Sequence, residues 1–372
     1  MDNMKILKRA WTILWNYRTL WIFGLILALT MGSATYNRFG SNSNYRYQQN
    51  YNNQTNFSWP WNNGTFSDPQ QFSRAVETSI GELGTEITSA HASGALIGFG
   101  ILFLVLLLAA GIVLTLLRYV SETAVVRMVN DYEDSGIKLT FRQGFRLGWN
   151  RRAWRLFLID LLIGLVPVLT MFLILALAIF GLAAIIIKSP SSGSGIALLA
   201  VLVGLIFLIF LLILVYNILM SFLRRFIARA CALEDSGVWK SINDGVGLGA
   251  RNWKAAGKFW LIMIGLGIAW MIASAVLVIL LIPFFLISVI LGALVAGVPG
   301  LLFGSISAIF VGSFWPFVIG AAFALPVFIL VVSSPLLLLE GMVLVFTSSA
   351  WTLVYRQVNK PVVQPEVIPA AG

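Results

Sequence analysis

Five long apolar runs, near residues 19–36, 95–117, 156–187, 196–223 and 259–339, alternate with polar connectors along the chain, and all but the third, which holds Asp160, are uncharged. About 20 apolar residues at 1.5 Å each suffice to cross a hydrocarbon core of about 30 Å, so such runs read as membrane-spanning helices. Three intervening stretches change to amphipathic helical spacing. Met4, Leu7, Trp11, Leu14 and Trp15 share one face ahead of the first run, with Lys5, Lys8, Arg9 and Thr12 opposite. Ile137, Phe141 and Phe145 recur at i+4 after the second run, and Val238, Ile242 and Val246 do so after the fourth.

Those last two stretches are copies. Glu133-Asp134-Ser135-Gly136 returns 101 residues later as Glu234-Asp235-Ser236-Gly237, and at the same offset Gly144, Leu147 and Gly148 match Gly245, Leu248 and Gly249. Trp15-Asn16-Tyr17-Arg18 resembles Trp149-Asn150-Arg151-Arg152, which makes the N terminus a third copy entered midway. Ala350-Trp351-Thr352-Leu353 echoes Ala10-Trp11-Thr12-Ile13 and closes the chain with a half-unit. The expected plan is therefore an all-α integral membrane protein of three parallel hairpin repeats, each preceded by an amphipathic interface helix. Its boundaries fall at 1–118, 119–223 and 224–340, with a half-repeat and tail at 341–372. Units of two spans face the same way, unlike the inverted repeats of many transporters.

The last run carries no charge for 81 residues, room for two to four spans. Six spans are expected, eight being the alternative. In the six-span reading Pro283 kinks one long helix and residues 298–315 form a re-entrant or interfacial excursion. The first run, with its patterned helix ahead, is read as a retained span and not a cleaved signal peptide. Residues 33–67 are rich in Asn, Gln, Ser and Tyr and too poor in aliphatic side chains to build a core, so a disordered external loop is expected. Asp68-Pro69 then opens an amphipathic helix over 68–90.

Charge orients this layout. Of 25 Lys and Arg, 21 fall in the N-terminal segment, the connectors 118–155 and 224–258, and the C-terminal tail. Positive residues mark the cytoplasmic side, so both termini and the three interface helices are expected there, in the cell membrane and specifically a bacterial inner membrane. Composition agrees: 59% of residues are hydrophobic and 11% charged, against about 25% charged in soluble domains. The net charge of +10 sits beside the membrane and points to anionic lipid headgroups as partners, not to nucleic acid. An unidentified membrane protein partner is also compatible. Nine tryptophans (11, 15, 21, 149, 154, 239, 253, 260, 351) lie at the basic boundaries, as interfacial anchors would.

Reactive chemistry is sparse. One histidine and one cysteine leave no metal cluster, and neither a nucleotide-binding glycine loop nor a serine elbow is present. No cofactor and no catalytic residue is expected. Cys231 reads as a small packing residue. Asp160, the acidic residue within a span, reads as an interfacial carboxylate paired with a nearby arginine such as Arg155. The alternative is a proton or cation relay. Gly144, Gly148, Gly245 and Gly249 read as helix-packing positions, where leucine should be harmful and alanine much less so.

Ala232-Leu233-Glu234, Ser241, Gly245, Leu248 and Arg251-Asn252-Trp253 resemble a broad group of bacterial multi-pass families. These include the non-catalytic membrane domain beside glycerophosphoryl diester phosphodiesterases. Leu339-Glu340-Gly341 with Ser349-Ala350-Trp351 repeats the pattern. The resemblance covers roughly residues 119–356 and implies a six-span core with cytoplasmic interface helices. It carries no phosphodiesterase activity, since the soluble acidic domain is absent from these residues. Two functions remain open: a non-enzymatic component that organises partners or lipids at the membrane surface, and a transporter or permeation protein for a lipid or other amphipathic molecule.

Overall fold

A computed structural model describes residues 2–31, 90–187, 193–311 and 314–359. Eleven helices and no strands occur among them. In chain order these are α1 (Asn3–Asn16), α2 (Thr19–Met31), α3 (Ala90–Ser135), α4 (Phe141–Gly148), α5 (Arg151–Ile187) and α6 (Gly193–Glu234). There follow α7 (Val238–Arg251), α8 (Trp253–Leu280), α9 (Ile282–Ala308), α10 (Trp315–Val332) and α11 (Ser334–Val358). The expected loop at 33–67 and the helix leading out of it lie outside the described residues, up to Ala90 where α3 begins.

By length and apolarity seven helices can cross a membrane, namely α3, α5, α6 and α8–α11. Counting the bent pair α1–α2 as one broken span makes eight. This corrects the six-span reading in favour of a higher count. Proline chemistry is the reason. Pro283 stands in the first turn of α9, where its missing N–H costs nothing, so it starts a helix rather than kinking one. Pro316 does the same for α10. Residues 298–308 continue α9 straight through Pro299, so no separate excursion begins at 298.

The chain divides into two compact units. One comprises Met1–Met31, Leu114–Ile279 and Leu336–Gly372, the other Gly32–Val113 and Leu280–Pro335. The second unit pairs α9 with α10. Gly300, Gly304 and Gly320 let the two backbones meet: a Cβ on Gly320 would lie 2.6 Å from the carbonyl oxygen of Gly300. Phe303 stacks on Phe323 beside that contact, with ring centroids 3.8 Å apart.

In the first unit the core lies at the basic ends of the long helices. Three buried clusters join α1, α2, α4 and α7 to residues 119–129 of α3, 223–232 of α6 and 345–355 of α11. By contrast, the most hydrophobic windows of α3, α5 and α6 have no buried residues. Apolar side chains gain nothing from mutual burial when the surrounding solvent is lipid, whereas water at the helix ends drives them together. Trp351 corrects one expectation here. It is 1% exposed, with Phe226 and Phe259 against it edge-on and the Arg225 guanidinium 5.1 Å from its ring centroid, so it fills core instead of anchoring an interface. Trp11, Trp15, Trp149, Trp154, Trp239 and Trp253 are exposed.

α1 and α2 meet at a bend of 100° whose pivot is Tyr17. Its ring is 1% exposed. The hydroxyl donates to the Leu139 carbonyl (3.0 Å) and accepts from the Leu139 N–H (2.6 Å), occupying both main-chain groups of that residue. This explains a second departure from expectation. The first amphipathic copy should have begun near Ile137, but residues 136–140 are not helical and Ile137 is 64% exposed. Leu139 has exchanged intrahelical bonds for the tyrosine, and α4 starts at Phe141, after Gln143 Oε1 accepts the Thr140 N–H (2.9 Å). Burial raises the Tyr17 pKa to about 12. The neutral hydroxyl thus contributes stability fully present below its ordinary pKa of about 10 and lost as pH rises through 12. Tyr17→Phe should cost ~1–3 kcal/mol, because it strands two main-chain groups. In thermal melts the variant should lie below the parent at pH 8 and approach it as pH rises past 11. Equal melting at pH 8 would show that the bonds do not matter.

Candidate functional site

The repeated Glu-Asp-Ser-Gly segments lie at the C-termini of α3 and α6, and their carboxylates act as latches. Glu133 takes Arg9 of α1 (2.7 Å). Asp134 pairs with Arg356 of α11, whose guanidinium also donates to the Asn130 carbonyl (2.9 Å). In the second copy Glu234 accepts from the hydroxyl of Tyr355 and from Asn359 (3.1 Å). Asp235 takes both Arg152 and Arg155 of α5, each at 3.1 Å. The hydrogen bond from Arg152 is the main reason the Asp235 carboxyl is held below its usual pKa. The copies close their helices differently. Gly136 adopts φ +70° after α3, but after α6 it is Asp235 that enters the left-handed region, at φ 50°. Glycine enters that region freely and aspartate more readily than most residues. From sequence these segments stood out only as a repeat; their clamping role depends on side chains distant in the chain.

Asp160 lies on α5 facing α6 and α3. Arg224 grips it through both carboxylate oxygens, with Nε 2.5 Å from Oδ1, and Tyr119 donates its hydroxyl to Oδ2 (3.0 Å). Arg118 approaches to 3.8 Å. The arginine partner is therefore not Arg155, one turn earlier, which is spent on Asp235. Asp160 and Arg224 side chains are 10% and 21% exposed, so the pair is largely buried. Arg229, one turn and a half along α6, is 6% exposed and donates to the Arg225 carbonyl (2.8 Å) and towards that of Ser348 (3.5 Å). These arginines were visible in sequence as connector charges, but nothing there marked them as inward-facing.

All four singled-out glycines face a neighbouring helix. Gly144 sits over Met128 of α3 and Phe23 of α2, and Gly148 over the Val120 carbonyl and Ala124 of α3. Gly245 lies against the Ile227 backbone of α6, and Gly249 against Leu223 and Phe226. A further contact was missed: Gly24 of α2 and Gly341 of α11 face each other so closely that a Cβ on Gly341 would lie 2.7 Å from the Gly24 carbonyl carbon. Neither has a glycine partner at a helical interval to signal it. Cys231 is fully buried in the cluster joining α3, α5 and α6. Among the described residues no group of three or more His, Cys, Asp or Glu is placed to hold a metal.

Long apolar helices held together at charged, latched ends define a multi-pass helical membrane protein. The chain belongs to the DUF7544 family, a family of unknown function whose profile matches residues 11–359. No curated protein and no solved structure matches it, and no link to the phosphodiesterase-associated membrane domain is shown.

Proposed function

We propose that the chain is a non-enzymatic membrane component that organises lipids or partner proteins at one membrane surface. The observation that carries this reading is the position of the core. Packing, ion pairs and buried aromatics concentrate at the basic helix ends, while the most apolar windows of α3, α5 and α6 bury nothing. A chain built to move a solute needs its polar groups converging along the spans. Here the latches gather instead into a collar at the helix ends, beside the short helices α1, α4 and α7. The basic bias supports placing that collar and both termini in the cytoplasm, in a bacterial inner membrane.

One observation favours the second reading, a lipid transporter: Asp160, Arg224, Tyr119 and Arg118 bring charge to the edge of the spans. Every Asp160 oxygen is already engaged by protein, which suits a fastener better than a relay. Reconstituted into vesicles holding a fluorescent phospholipid, the protein should leave transbilayer exchange at the protein-free rate. Spin-labelled anionic lipid should be enriched in its boundary shell over the zwitterionic analogue. Accelerated exchange would instead select the transporter. A cysteine at Ser135, which is exposed on the latch turn, should label only in permeabilised cells.

A further inference from the structure

A cleft of about 340 Å³ opens beside the turn between α4 and α5, where the apolar run of α5 begins. We propose that it holds the headgroup region of an anionic phospholipid. The inference rests on the surface-organising reading above and names one lipid class and one place for it.

The walls are aromatic and braced. Trp149 stacks on Phe145 with centroids 5.6 Å apart, while Phe157 stands edge-on to both Tyr119 (5.4 Å) and Trp154 (6.0 Å). Trp149 and Trp154 remain 58% and 57% exposed, and no hydrogen bond occupies either indole N–H among the described residues. Tryptophan favours the headgroup level because its ring is apolar and its N–H donates to ester or phosphate oxygen. Leu116, on the apolar side of the cleft, continues into the unburied surface of α3, along which acyl chains can lie.

Charge selects the headgroup. Three arginines open α5, and two of them, Arg152 and Arg155, are committed to Asp235. Arg151 lines the cleft, is exposed, and has no carboxylate partner among the described residues. Asn150, its neighbour in the lining, turns its Oδ1 back onto the Arg151 N–H (2.7 Å) and so leaves the guanidinium as the cleft's cation. A basic pocket at the end of a span, walled by interfacial aromatics, matches a phospholipid phosphate with its glycerol esters. A soluble anion would have no use for the apolar side.

The full-length protein in mild detergent is titrated with phosphatidylglycerol, or with phosphatidylcholine of the same acyl chains, and bound lipid is counted by native mass spectrometry. Arg151→Gln should weaken phosphatidylglycerol about fivefold, the effect of one basic side chain at an anionic surface, and spare phosphatidylcholine. Arg151→Lys should retain most of the binding. Lys240→Gln removes the same charge from an exposed position on α7 and should change neither lipid, while Trp149→Ala should weaken both. Equal losses in Arg151→Gln and Lys240→Gln would mean diffuse attraction and overturn the site. Displacement of the lipid by glycerol phosphate would overturn it too, in favour of a small soluble phosphoester. Loss of this site would leave boundary enrichment in vesicles intact. If that reading itself fails, enrichment disappears for the parent protein as well.

Discussion

Asp160→Asn should cause the largest loss of folded protein of any single substitution at the helix ends. The change leaves Arg224 charged and largely buried without the carboxylate that grips it, Glu122 being the acidic neighbour that remains. Breaking one half of a buried pair costs about 3–5 kcal/mol, most of it the desolvation of the charge left behind. Tyr119 keeps an acceptor in the amide oxygen, so the loss reads out the charge and not that hydrogen bond. Size-exclusion profiles in detergent should show aggregation at temperatures where the parent is monodisperse. Asp160→Leu combined with Arg224→Leu should recover much of the loss, since an apolar pair of similar volume is often neutral or better. A well-folded Asp160→Asn variant would show that the pair is not structural and revive a relay role.

Gly148→Ala and Gly245→Ala are expected to rival it. A methyl at Gly148 would stand 2.9 Å from Ala124 Cβ and nearer still to the Val120 carbonyl oxygen. One at Gly245 would meet the Ile227 Cα at 2.6 Å and its nitrogen at 2.7 Å. Both obstacles are main chain in a long helix, which cannot step aside without moving the collar. Overpacking of this kind costs about 1–3 kcal/mol, and more where backbone must shift. Gly144→Ala and Gly249→Ala should be milder, because they meet the flexible ends of Met128 and Leu223. Melting temperatures of the four alanine variants test this ranking; a uniform, small effect at all four positions would contradict it. The sequence-based expectation that alanine does much less harm than leucine is thus kept as a prediction for Gly144 and Gly249.

What was legible in the sequence was what periodicity and composition encode. The apolar runs, the helices α4 and α7, and the inward faces of their glycines follow from spacing alone. Span number did not, because a charge-free run of 81 residues has no internal punctuation except proline, and a proline starting a helix looks the same as one kinking it. The latches were half legible. Glu133, Asp134, Glu234 and Asp235 stood out as a repeat, but Arg9, Arg356 and Tyr355, between 121 and 222 residues away, become partners only when the helix ends converge. Tyr17 gave no signal at all. Its pull on Leu139 is a tertiary bond that overrides the local helical pattern of 137–145, and such bonds leave no trace in a window of neighbours.

The hairpin of α5 and α6 has a consequence for bilayers of different thickness. At 1.5 Å per residue the 42 residues of α6 extend about 63 Å, roughly twice a hydrocarbon core of about 30 Å. Buried packing is confined to the end nearest the collar; farther out the two helices touch more lightly, Tyr216 donating its hydroxyl to the Ile163 carbonyl (3.1 Å) and Gly181 lying against Leu202, and the outer surface is largely apolar. A thicker or thinner membrane therefore meets a hairpin with apolar length to spare, and mismatch is absorbed by tilt of the hairpin at fractions of a kcal/mol per ångström. The collar stays in register with its own leaflet whatever the thickness on the far side, so the same protein fits membranes that would sort shorter, rigidly bounded spans apart.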